Sequence, residues 1–157
     1  MTKEETIQSD LIKRFSFLEG NVKVQRARRI FAVVALDKFK EVFESLIKDS
    51  GFTLLCTITG FDEGEVFSLM YHMARPDGIV LSIKTSAPKD KPVFKTVTSY
   101  FPDAEIYERE VVDLFGMIVE GLGPGNSYPL PDDWPKGQYP LRKDWKPAPK
   151  KGEVKDA

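Results

Sequence analysis

Residues 54–84 read LLCTITGFDEGEVFSLMYHMARPDGIVLSIK, three apolar runs of strand length separated by two turn sequences. Apolar side chains fill every second position of each run, as expected for strands with one buried face. These positions are Leu54, Cys56 and Ile58, then Phe67, Leu69, Tyr71 and Met73, then Ile79, Leu81 and Ile83. Asp62-Glu63-Gly64 and Pro76-Asp77-Gly78 have typical turn composition. The stretch predicts an antiparallel meander whose apolar face needs a cover.

Helical periodicity on both sides of the meander supplies that cover. Four amphipathic helices are predicted from apolar residues spaced three and four apart. Their limits are 3–18 with a Thr2/Glu5 capping box, Asp37 to Gly51 with Asp37 as the cap, Pro92 to Pro102, and Asp103 to Gly116 with Asp103 as the cap. Residues 22–36 read as extended, and 30–36 as a strand inside a sheet. The predicted fold class is α+β: an antiparallel sheet of about four or five strands covered by helices.

Size and charge narrow the class of protein. The chain has 157 residues, which suits one domain, and 23 basic against 24 acidic side chains give a net charge of -1. Nucleic acid is therefore not expected as a partner, nor is direct binding to an anionic membrane. The longest uncharged stretch, 50–61, is shorter than the roughly 20 residues of a spanning helix. The N-terminus lacks an apolar signal run, so a cytoplasmic protein is expected.

Cysteine and histidine are nearly absent. Cys56 and His72 are the single representatives of their types, whereas iron–sulfur, zinc and nickel–iron sites need several such ligands. No cofactor or metal site is predicted in this chain, and any redox centre is expected in a partner chain. Asparagine and glutamine total five against abundant Lys and Glu, a bias typical of proteins from hot environments.

The C-terminal part has a different composition from the rest. Residues 117–157 hold seven of the eleven prolines and both tryptophans. Prolines exclude a long helix or a central strand, yet the segment is too rich in aromatic residues for a disordered tail. Rigid prolines and large aromatic side chains suit a segment laid across another surface. We therefore divide the chain into an α+β body, 1–116, and an extended interface arm, 117–157.

Three motifs in this region resemble the signature of the respiratory complex I C subunit family. They are Glu108-Arg109-Glu110-Val111-Val112-Asp113-Leu114-Phe115-Gly116, then Pro131-Asp132-Asp133-Trp134, then Pro140-Leu141-Arg142-Lys143-Asp144-Trp145. The family includes the corresponding subunit of energy-converting membrane-bound [NiFe] hydrogenases. The resemblance covers about a quarter of the chain, and the three motifs occur in the family's order.

The resemblance implies a non-catalytic subunit of the cytoplasmic arm of such a complex. Its C-terminal extension would pack on the large subunit that holds the nickel–iron or quinone site. The cluster-bearing small subunit and a ferredoxin-like iron–sulfur subunit would be neighbours, with the membrane reached only through the complex. The [NiFe] centre and the iron–sulfur clusters would belong to those partners.

The stretch 121–128, Gly-Leu-Gly-Pro-Gly-Asn-Ser-Tyr, departs from the family pattern. Complex I members usually carry a histidine–proline pair and paired arginines there. With the compact length and the hot-environment bias, this favours a hydrogenase engaged in ferredoxin-linked hydrogen evolution coupled to ion translocation. A quinone-reducing complex I and a sulfur-reducing relative are the alternatives, and a free-standing enzyme is the alternative of another class.

The charged residues of the first motif have two interpretations. On sequence alone they form a solvated helix face, with Arg109 and Asp113 as an i, i+4 pair. The resemblance instead predicts that some of them are buried where helix, arm and partner meet. A catalytic carboxylate pair of Glu110 and Asp113 is disfavoured because further ligands and a cleft are lacking.

Other candidate residues have structural interpretations. Cys56 is predicted to be an inert buried thiol, and His72 a surface or interface side chain opposite the apolar face. Lys23, Arg26, Arg28 and Arg29 form a basic cluster, interpreted as a charged strand edge, with a docking patch for an acidic partner as the alternative. Gly121, Gly123 and Gly125 lack the flanking strand and helix of a phosphate loop and indicate a flexible turn.

Overall fold

The computed structural model of the chain describes residues 1–148 and confirms the α+β class. In chain order its elements are α1 (Lys3–Arg14), β1 (Val22–Arg26), β2 (Arg29–Val33), α2 (Phe39–Lys48), β3 (Leu54–Asp62), β4 (Val66–Ala74), β5 (Val80–Pro88), β6 (Val93–Lys95), α3 (Ala104–Phe115) and β7 (Ile118–Glu120). Short 3-10 turns at Ser16–Leu18 and Leu36–Lys38 precede β1 and α2. The first of these turns occupies the end of the helix predicted over 3–18.

A five-stranded sheet in the order β1-β2-β5-β4-β3 forms the centre of the body. β3, β4 and β5 pair antiparallel, which confirms the predicted meander. β1 and β2 form an antiparallel hairpin, and β2 joins β5 in parallel, from Arg29 opposite Val80 to Val33 opposite Lys84. The sheet is therefore mixed, with the hairpin added to one side of the meander.

The apolar face of the sheet packs against helices, as its alternating sequence requires. Tyr71 on β4 is 1% exposed, and its ring centroid lies 4.7 Å from that of Phe39 and 5.5 Å from that of Phe43 on α2. On β3, a Cβ added to Gly60 would lie 2.8 Å from Val111 Cγ1 of α3. Because Gly60 has no side chain, α3 packs directly on the strand backbone.

The opposite face carries polar side chains. His72 Nδ1 lies 2.8 Å from Ser82 Oγ, and His72 Nε2 lies 3.4 Å from Thr59 Oγ1. Partial burial lowers the pKa of His72 below its ordinary value. His72 is thus opposite the apolar face, as predicted, and takes part in a hydrogen-bonded row across three strands.

The helix predicted between Pro92 and Pro102 is wrong. Val93–Lys95 is β6, which pairs in parallel with β7, and turns follow it. The apolar residues that suggested helical spacing are buried for another reason: Phe94, at 1% exposure, faces the core from the strand. A strand partner about 25 residues away overrode the local pattern.

Two smaller predictions are also wrong. Asp37 does not cap α2, because it lies inside the Leu36–Lys38 turn and Lys38 occupies the N-cap position without a side-chain bond. Cys56 is exposed rather than buried, because the β3–β4 register shifts between Leu55 and Thr57. The shift turns Leu55 and Ile58 inward and Cys56 outward.

The chain continues into the body after α3. Met117 and Val119 are 1% and 9% exposed and belong to the core, and β7 pairs with β6. The later arm residues, from 121 on, form turns without regular strands or helices as far as residue 148. Residues 149–157 of the predicted arm lie outside the described residues.

Candidate subunit interface at the C-terminal arm

Helix α3 is the platform on which the arm is built. Gly116 ends the helix with φ of +70°, and its N–H bonds the Val112 carbonyl. This left-handed conformation favours glycine. A Cβ at position 116 would lie 2.5 Å from a ring atom of Tyr139 and 2.7 Å from Arg142 Nη2. The missing side chain therefore lets the returning arm pack against the end of the helix.

The end of α3 is capped by the arm itself. Leu141 N–H donates to the Leu114 carbonyl at 3.1 Å, and Arg142 Nε donates to the Phe115 carbonyl at 2.5 Å. The last carbonyls of a helix have no partner within it and carry partial negative charge, so a guanidinium is favourable there. The same guanidinium lies 5.2 Å from the Phe67 ring centroid and 4.6 Å from that of Tyr139.

Asp62, the last residue of β3, binds the next arm residue. Its side chain is 1% exposed and accepts hydrogen bonds from Lys89 Nζ at 2.8 Å, Lys143 N–H at 2.9 Å and Gly64 N–H at 2.8 Å. Burial would raise the pKa of Asp62, but the three donors outweigh it and lower the pKa to about 2. Lys89 also lies 3.4 Å from the exposed Asp144 carboxylate. A buried, ionised carboxylate thus joins β3, the residue after β5 and the arm.

Charged residues in the middle of α3 hold the beginning of the arm. Arg109 Nη2 bonds Glu105 at 2.7 Å and donates to the carbonyls of Gly123 at 2.8 Å and Pro124 at 3.1 Å. Asp113 accepts a hydrogen bond from the Tyr128 N–H. The predicted Arg109–Asp113 pair is therefore wrong: Glu105, one turn earlier, gives Arg109 the more favourable acid-before-base order.

Glu108 serves the body rather than the arm. It is 1% exposed, and its carboxylate accepts hydrogen bonds from Thr96 Oγ1 at 2.6 Å and Val97 N–H at 2.7 Å. Burial is the main influence on its pKa, which is raised above the ordinary value of a glutamate. The side chain fastens α3 to the segment after β6. Glu110 is half-buried and forms no side-chain hydrogen bond or ion pair within residues 1–148.

The part of the arm around Trp134 and Trp145 lies at the surface of the body. Trp134 Nε1 donates to the Gln138 carbonyl at 2.8 Å and Trp145 Nε1 to Gln138 Oε1 at 2.9 Å, with the two indole centroids 6.2 Å apart. Pro131, Asp132 and Asp133 are exposed, and Leu141 is 52% exposed. Gln138 thus holds two half-buried tryptophan side chains side by side at the surface, next to the exposed side chains of Asp132 and Asp133.

The motif residues therefore divide into two groups. Those that contact the body or end the helix are Glu108, Arg109, Asp113, Phe115, Gly116, Arg142, Lys143 and Asp144, the last through Lys89. Those of the arm's outer part are Pro131, Asp132, Asp133, Trp134, Pro140 and Trp145, together with the exposed side chain of Leu141, whose N–H bonds the Leu114 carbonyl. Sequence reasoning missed Asp62 and Lys89, since residues so distant from the arm along the chain offered no shared pattern.

Two properties of the described residues bear on function. Within residues 1–148 no group of three or more His, Cys, Asp or Glu side chains is placed to hold a metal ion. In the same part of the chain, no helix has both the length and the apolar character needed to cross a bilayer.

Comparison with known proteins gives consistent matches. The family model for the 30 kDa subunit of respiratory-chain NADH dehydrogenase matches residues 32–151. The C subunit of the F420H2 dehydrogenase of Methanosarcina mazei is 34% identical over 147 residues, covering 92% of this chain and 92% of that protein. The beta subunit of the membrane-bound hydrogenase of Pyrococcus furiosus is 30% identical over 155 residues, covering 95% of this chain and 90% of that protein.

A solved structure also matches. It is a chain in the membrane-bound sulfane sulfur reductase, an archaeal respiratory membrane complex, and it is 34% identical with a TM-score of 0.80. The match covers 92% of this chain and 86% of that one.

Proposed function

This chain belongs to the family of the 30 kDa subunit of respiratory-chain NADH dehydrogenase, and on that premise we propose that it braces the catalytic large subunit of a membrane-bound respiratory complex. The resemblance in its sequence motifs is thereby confirmed. The complex is of the hydrogenase-like or complex I-like kind to which its relatives belong. The chain's role in it is mechanical: it holds another subunit in place.

The proposal rests on one observation: some residues of the arm bind the body, whereas others lie at the surface. Residues 141–143 bind the body through Leu114, Phe115 and Asp62, which fixes where the arm lies. The Trp134–Trp145 pair and the neighbouring Asp132 and Asp133 remain at the surface. Tryptophans are prominent among the residues that dominate binding energy at interfaces, and a rigid presentation lowers the entropy lost on docking.

Within this class we favour a [NiFe] hydrogenase that evolves hydrogen with electrons from a ferredoxin and couples this to ion translocation. The match to a membrane-bound hydrogenase subunit over 90% of that protein supports it. A sulfur-reducing complex is the second candidate, supported by the structural match at a TM-score of 0.80. The adjacent large subunit distinguishes them, because two Cys-x-x-Cys pairs that bind nickel indicate a hydrogenase.

The partners follow from the same proposal. A large subunit with the [NiFe] centre would contact the presented part of the arm, and a cluster-bearing small subunit and a ferredoxin-like iron–sulfur subunit would lie beside the body. The single cysteine and single histidine of this chain support placing the redox centres in those partners. The chain would reach the cytoplasmic face of the membrane through the complex.

Truncation tests the role of the arm. Deleting 126–157, after Gly125, spares the buried Met117 and Val119 and should leave a folded body. The amount of large subunit that co-purifies with this body should fall at least tenfold. Deleting 149–157 is the matched control, since it keeps both tryptophans and should retain the large subunit fully.

A double substitution tests the presented aromatic pair directly. Trp134→Ala with Trp145→Ala should also release the large subunit, whereas Leu54→Ala, at an apolar residue that is 59% exposed elsewhere, should not. If the 126–157 deletion assembles at normal stoichiometry, the bracing role is wrong.

A further inference from the structure

The β1–β2 hairpin concentrates positive charge at a corner of the body far from the arm. Lys23, Arg26 and Arg28 are exposed and Arg29 is half-buried, and no acidic residue occurs between Glu19 and Asp37. None of these four side chains takes part in the ion pairs formed within residues 1–148. The chain as a whole has a net charge of -1, so this positive field is local.

The backbone places like charges against each other. Arg26 and Arg29 are directly paired across the hairpin, an arrangement that destabilises an antiparallel pair. Arg28, at the turn between them, has φ of +62°, a conformation that no other non-glycine residue adopts within 1–148. The three arginines among positions 26–29 therefore repel one another. Arg28 also adopts a backbone conformation that a non-glycine residue disfavours.

Helix α1 holds the hairpin rigid. Glu4, itself 9% exposed, accepts a hydrogen bond from Arg28 N–H at 2.7 Å, and Gln8 Nε2 donates to the Val22 carbonyl at 2.6 Å. Both bonds involve hairpin backbone, so they fix its shape without using the basic side chains, which form no ion pair with any other residue of 1–148. A fixed backbone lowers the entropy that the hairpin loses when its arginines bind a partner.

Protection of a sheet edge does not account for this cluster. β1 is an edge strand, where a lysine such as Lys23 discourages pairing with another chain. Arg29, however, lies on β2, which is paired on both sides, and Arg28 lies in the turn. The positive charge extends beyond the edge that would need protecting.

Apolar side chains adjoin the basic cluster. On β2 the positions Arg29, Phe31 and Val33 alternate with the buried Ile30 and Ala32, and Val33 is 40% exposed. Arginine next to exposed apolar side chains is typical of protein–protein interfaces, whereas surfaces for nucleic acid and anionic lipid are more uniformly basic.

We propose that the β1–β2 hairpin, through Lys23, Arg26, Arg28 and Arg29 with Phe31 and Val33, is a docking surface for an acidic surface of another protein chain. This inference goes beyond the bracing role, because the hairpin lies at one edge of the sheet and the arm binds at the opposite edge. Four strand spacings, about 19 Å, separate β1 from β3, where Asp62 binds the arm. Binding of an acidic partner neutralises the opposed arginines.

Site-specific photo-cross-linking in the intact complex tests the docking surface. A photo-reactive residue in place of Gln25, an exposed position on β1 between Lys23 and Arg26, should cross-link to a second protein chain. The cross-linked segment should be one in which Asp and Glu outnumber Lys and Arg. A cross-link to a neutral or basic segment, or none in the intact complex, would overturn the proposal.

Charge variants test the chemistry of recognition. Arg26→Glu with Arg29→Glu should reduce the cross-link at least tenfold, since like charges across an interface are strongly unfavourable. Arg26→Lys with Arg29→Lys should retain most of it. Lys13→Glu with Lys91→Glu, two exposed lysines outside the hairpin, makes the same change in net charge and should leave the cross-link unchanged.

Further measurements exclude the other outcomes. Arg26→Gln with Arg29→Gln removes the repulsion, so this variant should fold at least as well as the natural chain while still losing cross-link yield. Phosphatidylglycerol vesicles and duplex DNA are the probes for the other polyanions. Binding of either at physiological salt, abolished by the Glu variant, would overturn the assignment to a protein. Loss of the large subunit on deleting 126–157 is a separate readout, so the two proposals fail independently.

Discussion

The carboxylate of Asp62 accepts a hydrogen bond at 2.9 Å from the backbone N–H of Lys143, 81 residues later in the chain. The bond joins the last residue of β3 to the arm, and Lys89 supplies the compensating charge at 2.8 Å. A buried charge that fixes a backbone position makes the course of the arm sensitive to one side chain.

Replacing Asp62 with Asn should destabilise the chain by about 2–3 kcal/mol, because Lys89 then loses its buried partner and the three donors lose a charged acceptor. Chemical denaturation measures the change. Asp144→Asn is the control, since that carboxylate is 66% exposed and lies 3.4 Å from Lys89, and it should change stability by less than about 0.5 kcal/mol. Equal effects of the two substitutions would contradict the central role of Asp62.

The low pKa of Asp62 predicts that the stability of the fold decreases in acid. Because the pKa of the folded state, about 2, is below the ordinary value of 3.8, the carboxylate stabilises the fold above about pH 4. This contribution, about 2 kcal/mol, is lost as the pH falls toward 2. The stability difference between natural chain and Asp62→Asn should therefore shrink between pH 4 and pH 2. A constant difference across that range would argue against an ionised Asp62 at the junction.

The pKa of Glu108 shifts in the opposite direction to that of Asp62, because burial raises it above the ordinary value. A raised carboxyl pKa means that the ionised form disfavours folding, so a neutral isostere should be tolerated at neutral pH. We expect Glu108→Gln to change stability by less than about 1 kcal/mol, and Glu108→Ala to cost about 2–3 kcal/mol by leaving Thr96 and the Val97 N–H without their acceptor. Thermal unfolding at pH 7 compares them. A Gln variant as unstable as the Ala variant would show that the charge itself is required.

Gly116 and Gly51 form a matched pair for testing the arm's contact with α3. Both have positive φ, +70° and +74°, so alanine at either should cost about 1 kcal/mol in backbone strain. A Cβ meets nothing within 4 Å at Gly51, whereas at Gly116 it meets Tyr139 at 2.5 Å. Gly116→Ala should therefore cost a further 1–3 kcal/mol or displace the arm.

Limited proteolysis distinguishes a displaced arm from an arm that stays bound at a cost in stability. Displacement should expose the arm to cleavage in Gly116→Ala and leave it protected in Gly51→Ala. Identical cleavage rates and stabilities would contradict the close contact between arm and helix end.

Local pattern determined what the sequence could predict. The strands at 54–84 were predicted because a half-buried strand repeats every two residues, and Gly116 was predicted as a helix end because few other residues adopt its conformation. The local pattern predicts a helix at 93–95 wrongly, because the strand partner of this stretch, 118–120, lies outside any local window. The alternation predicts an inward Cys56 wrongly, because the bulge at 55–57 is a property of pairing with β4.

The candidate interface was predicted in part for the same reason. The motifs located the arm and α3, but which motif residues turn inward depends on distant partners such as Asp62 and Lys89. Glu108 could not be distinguished from its neighbours by sequence, since its hydrogen-bond donors, Thr96 and Val97, precede the helix in a segment with helical spacing.

The separation of Asp62 and Lys143 also sets an order of events during synthesis. At about 5–20 residues per second, a ribosome adds Lys143 roughly 4–16 s after Asp62. The nascent meander and Lys89 are complete well before the arm exists, so the pocket that receives Lys143 stands open during elongation. The arm closes it only after Lys143 has been added, which delays presentation of the tryptophan pair until the body that supports it has formed.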